Sequence, residues 1–392
     1  MKTNKFHKSF KFQGKSFSDV NELLLFSKIS SIEVYNFIEN WFDEKLYIEV
    51  KTSGSTGVPK IIQLQKKYMI NSAKATGCFF ELPENTRALL CMSPNYIAGK
   101  MMLVRALTLG WNIDIVEPTS NPLENIETAY DFSAMVPLQV ANSLKDFHKI
   151  KKLIVGGGVV SNELLHQIQH INTEVFATYG MTETVTHIAV RKLNNFKNVI
   201  ARETKQSQSN IPQNNSTKNV ISSAVEKSYY KTLPNIKIST DERGCLMIKA
   251  PKISNEIVIT NDVVELISET EFKWLGRFDS IINSGGIKLI PEQLEEKLAA
   301  IIKEQFFVAG LPDVVLGEKL VLVVEKLVTE WSRSAIISKK VNPYNNELFQ
   351  KIKELKSLSK YEIPKEIFFV ESFIKTPTEK INRSATLKLL EK

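Results

Sequence analysis

The sequence predicts an α/β protein with a large N-terminal domain that includes a small β-rich subdomain, followed by a small, mobile α+β C-terminal domain. Between Leu46 and Val190, short β-branched runs alternate with segments of helical periodicity, which is typical of a largely parallel sheet. A polar stretch at 195–231 interrupts this alternation, and short strands follow it. Past Gly276 the pattern changes to a glycine-rich turn, an amphipathic helix and further strands.

The elements of the first part follow from local sequence. Strands are predicted where β-branched and aromatic residues cluster, and helices where apolar residues recur every three or four positions. Gly110 predicts the end of one helix and Ser161 the cap of another. The predicted strands are LYIEV, KIIQLQ, RALLCMS, NIDIVEP, FSAMVP, KKLIVGGG and EVFATYG, and the predicted helices are KKYMINSAKATGCFF, GKMMLVRALTL, VANSLKDF and NELLHQIQH.

The later elements are shorter. CLMIKAP and EIVIT predict strands of the β-rich subdomain, and Pro291 predicts the start of the helix PEQLEEKLAAII. The strands FFVAG and KLVLVVE, a lysine-rich helix and the strand EIFFV follow. Segment 195–231 has no useful apolar period and predicts a loop or a poorly ordered insertion. We place the domain boundary near residues 277–280, which divides the chain into 1–276 and 277–392.

Composition limits the class of protein. With 43% apolar and 24% charged residues, the chain can bury substantial cores. The net charge of +8 suits polyanionic small molecules or nucleic acid, but the lysines are dispersed and no basic stripe carries interleaved aromatics. A nucleic-acid-binding protein is therefore a remote alternative. No long apolar run and no secretory signal is present, and Cys78, Cys91 and Cys245 are far apart, so we expect a cytoplasmic protein with reduced thiols and no stable membrane insertion.

The stretch KTSGSTGVPK, Lys51 to Lys60, predicts a phosphate-binding hairpin, with an ordinary surface turn as the alternative. Hydroxyls and bare N–H groups can surround oxyanions, and lysine adds a mobile positive charge. This is not a Walker A loop, because Pro59 stands where that motif needs its second glycine and Ile61 follows the lysine, which disfavours a kinase. The residues expected to meet phosphate are Thr52, Ser53, Gly54, Ser55, Thr56, Gly57 and Lys60.

Two strand ends supply a second group of candidates. The strand LIVGGG ends in three glycines, and the next strand ends in YGMTET. The carboxyl ends of parallel strands gather ligand groups at one edge of a sheet. Tyr179 could lie flat on a purine, Thr182 could donate to a phosphate oxygen, and Glu183 is a hard oxygen ligand suited to Mg²⁺. The glycines assigned to the same nucleotide site are Gly156, Gly157, Gly158 and Gly180.

These strings together resemble the acyl-adenylate-forming superfamily of acyl-CoA synthetases, peptide-synthetase adenylation domains and luciferases. TSGSTGVPK and YGMTET resemble its nucleotide motifs, GRFDSIINSGGIKLIPEQLE its hinge motif, and TPTEKINR its C-terminal lysine motif. The resemblance implies a two-step ligase: a carboxylate attacks the α-phosphorus of ATP to give acyl-AMP, and a thiol, usually that of CoA, then displaces AMP. It runs from about residue 46 onward, which implies a compact member whose usual N-terminal subdomain is mostly missing.

The resemblance also implies roles for single residues. Lys380 matches the catalytic lysine that bridges the carboxylate and the α-phosphate, and Thr182 and Glu183 match the catalytic motif, with Glu183 holding Mg²⁺. Asp262 matches the aspartate that accepts hydrogen bonds from the ribose. Arg277 matches the arginine that meets ribose or phosphate.

The hinge motif implies a conformational step. Asp279 falls at the family hinge, where rotation of the small domain would withdraw Lys380 and bring Ser284, Gly285 and Gly286 towards the CoA channel. Two residues depart from the family pattern. Glu379 stands where glycine usually precedes the lysine, and Asn261 replaces the usual glycine of the aspartate motif.

Within the superfamily, four strings are most similar to the short bacterial o-succinylbenzoate–CoA ligases of menaquinone biosynthesis: SPNYIAGKMMLVRAL, MTETVTHIAV, TNDVVEL and FDSIINSGGIKL. That substrate carries two carboxylates, so the one that does not react needs a cationic or multiply donating anchor. The candidates are Lys100, Arg105 and His187, and for the first two the alternative is snorkelling from an amphipathic helix. The enzymatic alternatives are another acyl or aryl acid as substrate, or a carrier protein in place of CoA. A homo-oligomer is possible.

Overall fold

The computed structural model describes residues 5–51, 61–194, 229–325, 339–341, 347–376 and 381–390. A twelve-stranded sheet organises the first part of the chain, and a six-stranded sheet organises the last part. The strands β2 (Tyr47–Lys51) and β3 (Ile61–Gln65) form a separate antiparallel hairpin. The α/β prediction is confirmed.

One half of the large sheet is parallel, in the order β1–β5–β4–β6–β7–β8. Its helices cover both faces of the sheet. The strands are β1 (Lys11–Phe12), β4 (Arg87–Leu90), β5 (Asn112–Ile115), β6 (Tyr130–Met135), β7 (Ile150–Val155) and β8 (Glu174–Gly180). The helices are α1 (Val20–Ser30), α2 (Ile32–Phe42), α3 (Lys66–Phe80), α4 (Ile97–Leu109), α5 (Pro137–Asn142) and α6 (Asn162–Gln167).

The alternation of side chains along the strands explains the two cores. Ala88 and Leu90 of β4 face a core with α3 and α4, whereas Leu89 between them faces a core with α5 and α6. Gly110 ends α4 in the left-handed conformation (φ 73°), as its position predicts. The predicted start of α6 is also confirmed, since Ser161 Oγ accepts a hydrogen bond from the Leu164 amide.

The other half of the large sheet is antiparallel, in the order β8–β9–β10–β14–β13–β12–β11. The β-rich segment therefore continues the same sheet through hydrogen bonds. The strands are β9 (His187–Lys192), β10 (Tyr230–Thr232), β11 (Lys237–Thr240), β12 (Cys245–Lys249), β13 (Val258–Leu266) and β14 (Glu271–Arg277).

The last part of the chain forms the second sheet. A 3₁₀ turn, Phe278–Ser280, separates β14 from this sheet and lies where the sequence predicts a domain boundary. The strands are β15 (Ile282–Ser284), β16 (Ile287–Leu289), β17 (Phe306–Asp313), β18 (Gly317–Glu325), β19 (Lys339–Val341) and β20 (Glu366–Val370). The helices are α7 (Pro291–Leu298), α8 (Glu347–Glu354) and α9 (Arg383–Leu387).

Two elements differ from the sequence prediction. The predicted helix VANSLKDF is split at Ser143 into α5 and a 3₁₀ helix, Leu144–Lys149, and the Ser143 hydroxyl donates to Asn121 Oδ1 (3.0 Å). The end of the predicted polar insertion is already strand β10, because Tyr230 stacks on Phe272 (ring centroids 5.4 Å apart).

Of the helices that the structure describes, none has the length and apolar character needed to cross a membrane.

Candidate active site

The carboxyl ends of β6, β7 and β8 form the edge at which the predicted nucleotide motifs meet. The Gly156 amide donates to the Met135 carbonyl at the end of β6 (3.2 Å). Thr178 Oγ1 on β8 donates to the Val155 carbonyl at the end of β7 (3.0 Å). A Cβ atom at position 156 would lie 2.6 Å from that same hydroxyl oxygen, so this close approach needs glycine. The structure thus places Gly156 against Thr178, the residue directly before YGMTET, whereas Gly157 and Gly158 face Val136 and Pro137.

A tight turn after β8 presents Thr182 and Glu183. Thr184 Oγ1 accepts a hydrogen bond from the Met181 amide (3.1 Å) and lies 2.9 Å from the Thr186 carbonyl, to which it can donate. Val185 has φ 68° and ψ −55°, a conformation that a β-branched residue rarely adopts. Backbone strain of this kind persists only where the surroundings enforce it, and it concentrates at functional sites.

Gly180 allows this turn to close against the neighbouring strand. A Cβ atom there would lie 2.3 Å from the Thr186 carbonyl oxygen and 2.4 Å from His187 Cα, both backbone atoms that cannot rotate away. We expect Gly180→Ala to lower the free energy of unfolding by about 1–3 kcal/mol and to displace Glu183. Denaturant unfolding measures the first effect. Gly158→Ala is the stability control, because its Cβ would meet only Pro137 at 3.4 Å; equal losses of stability would contradict the close-approach argument.

Asp262 is the centre of a hydrogen-bonded group. The Tyr179 hydroxyl donates to Asp262 Oδ2 (2.6 Å), and Trp274 Nε1 donates to Oδ1 (3.1 Å). Arg277 Nη1 lies 3.7 Å from Oδ1, because β13 and β14 pair these two residues directly. The predicted ribose aspartate therefore joins the tyrosine of YGMTET, and both carboxylate oxygens keep lone pairs for further donors.

The hydroxyl of Tyr179 is held as a proton donor. Burial and the negative charge of Asp262 raise the pKa of Tyr179, so the phenol stays protonated. Its ring meets Tyr230 and Phe272 edge-on, with centroids 5.8 and 5.1 Å away. The sequence motifs do not identify these two rings or Trp274. Alternation along β14 places Phe272 and Trp274 on one side of the strand, which is a signal available in the sequence.

Arg277 connects Asp262, the predicted ribose aspartate, with the predicted hinge. Its Nε and Nη2 atoms donate to Asp279 Oδ1 and Oδ2 (3.0 and 2.8 Å), a bidentate pair. The hydrogen bonds from Arg277 lower the pKa of Asp279, so this carboxylate is ionised at neutral pH. The guanidinium thus lies between two carboxylates, one in the candidate site and one in the turn between the two sheets.

Arg105 and His187 meet inside the protein, beside α3. Arg105 is 1% exposed, so the snorkelling alternative is wrong for this residue: nearly every side chain of the helix around it is buried. Its Nη2 lies 3.5 Å from His187 Nδ1, Nη1 lies 3.5 Å from Met102 Sδ, and Nε has no hydrogen-bond partner. His187 Nε2 is 3.4 Å from Thr76 Oγ1. Among the residues that the structure describes, no Asp or Glu forms an ion pair with Arg105.

Of these two side chains, only Arg105 is charged at neutral pH. Burial lowers the pKa of Arg105 to about 9, which keeps the guanidinium charged at neutral pH. Burial and the charge of Arg105 lower the pKa of His187 well below its usual value, so the imidazole is neutral. With Arg105 donating to Nδ1, the proton of His187 resides on Nε2 and points to Thr76. A buried charge without a carboxylate partner is energetically costly.

Lys100 does not join this pair. It precedes Arg105 by five residues, which places it about 140° away around the helix axis. Its ammonium donates to the Pro94 carbonyl (2.7 Å) and lies 5.9 Å from the Phe37 ring centroid. There it lines a separate cavity of about 230 Å³ with residues of α2 and the β2–β3 hairpin. The substrate role of Lys100 remains a prediction, because its ammonium does not approach the Arg105–His187 pair.

Several predicted site residues lie outside the described part of the chain. β2 and β3 pair Lys51 with Ile61, the described residues on either side of segment 52–60. Lys380 lies outside the described residues as well. The predicted phosphate-loop residues that lie outside the described part of the chain are Thr52, Ser53, Gly54, Ser55, Thr56, Gly57 and Lys60.

The predicted CoA-channel residues form the turn between β15 and β16. Gly285 and Gly286 both have positive φ (60° and 81°), a conformation that favours glycine. The Gly285 amide donates to the Leu316 carbonyl (2.8 Å), which fixes this turn against the β17–β18 connection. Ser284 pairs with Ile287 across the turn.

The site suits a nucleotide with a magnesium ion. Glu183 is exposed and forms no ion pair with a described residue. No group of three or more His, Cys, Asp or Glu side chains that could enclose a metal occurs among the described residues. Mg²⁺ commonly binds one or two carboxylates together with substrate phosphates, so a single free carboxylate at the edge of the sheet fits that ion.

Comparisons with known proteins concern the chain as a whole. A family profile described as "AMP-binding enzyme" matches residues 44–216. An acyl-CoA synthetase (AMP-forming)/AMP-acid ligase II-like protein from Dyadobacter fermentans is 36% identical, with 91% of this chain and 93% of that chain covered and a TM-score of 0.53.

Two further comparisons concern a narrower group. A 2-succinylbenzoate–CoA ligase of Oceanobacillus iheyensis is 24% identical over 386 residues, covering 93% of this chain and 74% of the relative. The o-succinylbenzoate coenzyme A synthetase of Bacillus subtilis, solved in complex with ATP and a magnesium ion, is 19% identical with a TM-score of 0.62 and covers 94% of this chain and 82% of that chain. The latter likeness shows the fold.

Proposed function

Because this chain belongs to the AMP-binding enzyme family and is an AMP-forming acyl-CoA ligase, we propose that it activates an aromatic dicarboxylic acid of the o-succinylbenzoate type with ATP and Mg²⁺ and transfers it to CoA. The observation that carries the substrate assignment is the buried guanidinium of Arg105, which has no carboxylate partner among the described residues. The similarity to 2-succinylbenzoate–CoA ligases supports the same assignment.

A second carboxylate on the substrate would complete the environment of Arg105. Its present contacts, with a thioether sulfur and an imidazole nitrogen, are long, at 3.5 Å each, and neither acceptor carries a negative charge. A carboxylate can accept two parallel N–H bonds from a guanidinium, which is the stronger arrangement. A monocarboxylic acid would leave the buried charge uncompensated, so the same side chain favours a dicarboxylate over a fatty acid.

His187 and Thr76 support this anchor without adding charge. A neutral imidazole beside Arg105 leaves a net positive charge of one, which matches one carboxylate. His187 opposes Gly180 across β8 and β9, so the anchor is adjacent to the turn that carries Glu183. The proposed substrate therefore extends from the nucleotide edge into the region between α3, α4 and β9.

In the first reaction, the reacting carboxylate attacks the α-phosphorus of ATP and pyrophosphate leaves. Asp262 would accept hydrogen bonds from the ribose hydroxyls. Hydrogen bonds from Tyr179 and Trp274 hold the Asp262 carboxylate in place. Glu183 would hold Mg²⁺, which neutralises charge on the phosphates when bound. Lys380 would stabilise the negative charge that accumulates between the carboxylate and the α-phosphate.

In the second reaction, the CoA thiol attacks the acyl carbonyl and AMP leaves. We propose that the part of the chain after the turn Phe278–Ser280 rotates between the two reactions. Asp279 would act as the hinge, and the turn Ser284–Gly286 would approach the thiol. The Arg277–Asp279 pair would then be the contact that couples the nucleotide site to the hinge.

A substrate panel tests the proposal. We expect CoA-dependent AMP formation with o-succinylbenzoate to exceed that with benzoate, succinate or a medium-chain fatty acid by about 10²-fold in kcat/KM. Benzoate and the fatty acid carry only one carboxylate, and succinate lacks the aromatic ring that separates the two carboxylates of o-succinylbenzoate. Equal rates with a fatty acid would contradict the dicarboxylate assignment. Turnover with a carrier protein but not with CoA would instead identify an adenylation enzyme.

A further inference from the structure

The chain on either side of Lys380 is fixed at one point of the last domain. Lys375 and Ile381 form an antiparallel bridge, and the Asn382 amide donates to the Ile374 carbonyl (2.7 Å). Asn382 Oδ1 then accepts from the Ala385 amide (3.0 Å) and caps α9. The described residues that flank segment 377–380 are therefore held by what holds α9.

Arg383, the first residue of α9, reaches the helix that follows the hinge. Its Nη2 donates to Glu295 Oε2 on α7 (2.8 Å), and its guanidinium lies 5.6 Å from the Phe307 ring centroid. Glu295 Oε1 accepts from the Val308 amide on β17 (2.9 Å). One carboxylate thus ties together α7, β17 and the start of α9.

The surroundings make this pair more than a surface ion pair. The Glu295 side chain is 19% exposed and that of Arg383 34%. Burial raises the pKa of Glu295 to about 7, with Arg383 acting in the opposite direction. Removing Arg383 leaves the mostly buried carboxylate of Glu295 without its counter-charge, which costs more than loss of an exposed pair.

The same helix is tied to the hinge. Ser280 Oγ in the turn between the two sheets lies 3.2 Å from Glu292 Oε1, one helical turn before Glu295. A chain of contacts therefore runs from the hinge through α7 to Arg383, three residues after Lys380. Displacement of a catalytic group by about 1 Å can cost about 10²-fold in rate.

We infer that Glu295 and Arg383 are positioning residues for adenylate formation, which hold Ile381 and Asn382, the residues directly after Lys380, at a fixed distance from the hinge. The inference rests on the proposed function, since it assumes that Lys380 acts in the first reaction. Neither residue touches the reacting atoms. The pair is needed for the first reaction and not for the second, in which the lysine takes no part.

The test compares the two half-reactions in Glu295→Gln and Arg383→Gln. Glutamine keeps the shape of Glu295 and an acceptor for Val308 but loses the charge. We expect each variant to lower kcat for pyrophosphate exchange by about 10- to 100-fold with little change in KM for ATP. Thioester formation from supplied acyl-AMP should stay within about twofold of the wild type. Arg383→Lys, which keeps the charge, should recover part of the loss.

A neighbouring ion pair supplies the matched control. Lys297, also on α7, contacts Glu362 at 2.6 Å with similar exposures of 32% and 18%, but Glu362 belongs to the segment before β20. Lys297→Gln should lower stability without separating the two half-reactions. Equal losses in both half-reactions for the Glu295 and Arg383 variants, or wild-type exchange in both, would overturn the inference. If the wild type forms no acyl-adenylate from any acid, the proposed function itself fails.

Discussion

Replacing Lys380 by alanine should lower the rate of acyl-adenylate formation by about 10²- to 10³-fold, which is the effect typical of removing one donor aimed at developing charge. The first reaction gathers negative charge around the α-phosphorus, and a lysine fixed there has no substitute in the proposed site. The second reaction proceeds without that charge. Thioester formation from supplied acyl-AMP should therefore survive.

Pyrophosphate exchange measures the first reaction, and release of AMP from supplied acyl-AMP and CoA measures the second. Lys388→Ala is the control, because Lys388 is exposed and follows α9. Equal losses in both half-reactions of Lys380→Ala would contradict the rotation between the two reactions. Retention of pyrophosphate exchange would contradict the role of the lysine.

Replacing Arg105 by methionine should stabilise the protein and abolish its preference for a dicarboxylate. Methionine has a similar length and removes an uncompensated buried charge, so we expect the free energy of unfolding to rise by about 1–2 kcal/mol. At the same time, kcat/KM for o-succinylbenzoate should fall by about 10²-fold or more, because a buried charge-assisted contact is lost.

Lys66→Met provides a contrast of opposite sign. Lys66 is 2% exposed, but its ammonium contacts Asp43 Oδ1 at 2.7 Å. Its removal leaves the Asp43 carboxylate without its counter-charge and should lower stability by about 1–3 kcal/mol. The melting temperatures of both variants, measured without ligand, test whether Arg105→Met is stabilising and Lys66→Met destabilising. A lower melting temperature for Arg105→Met would mean that the guanidinium is already compensated within the protein.

The elements of the parallel half could be predicted because each is defined by local sequence. α3 coincides with the segment KKYMINSAKATGCFF, and β8 with EVFATYG. The elements of the antiparallel half could be predicted less completely. β10 is only three residues long and depends on Tyr230 packing against rings that lie far away in sequence, so the polar stretch before it concealed the strand.

The site could be predicted in part for the same reason. Motif strings identified Tyr179, Asp262 and Arg277, and the sheet brings them together. Trp274 and the Glu295–Arg383 pair were missed, since their contacts span 12 and 88 residues and no local pattern encodes them. The sequence does not distinguish Lys100 from Arg105, because both lie on one helix that is predicted to be amphipathic. Only the packing of α3 and β9 against that helix distinguishes the buried cation from the one that reaches backbone carbonyls.

The central claim is that the carboxylate missing from the surroundings of Arg105 belongs to the substrate. Two analogues of o-succinylbenzoate, each lacking one carboxylate, test it most directly when wild type and Arg105→Met are compared by pyrophosphate exchange. The analogue that is still adenylated keeps the reacting carboxylate. We predict that the wild type prefers the dicarboxylate over this analogue by about 10²-fold in kcat/KM, and that Arg105→Met shows almost no preference. An equal preference in both proteins would contradict the claim.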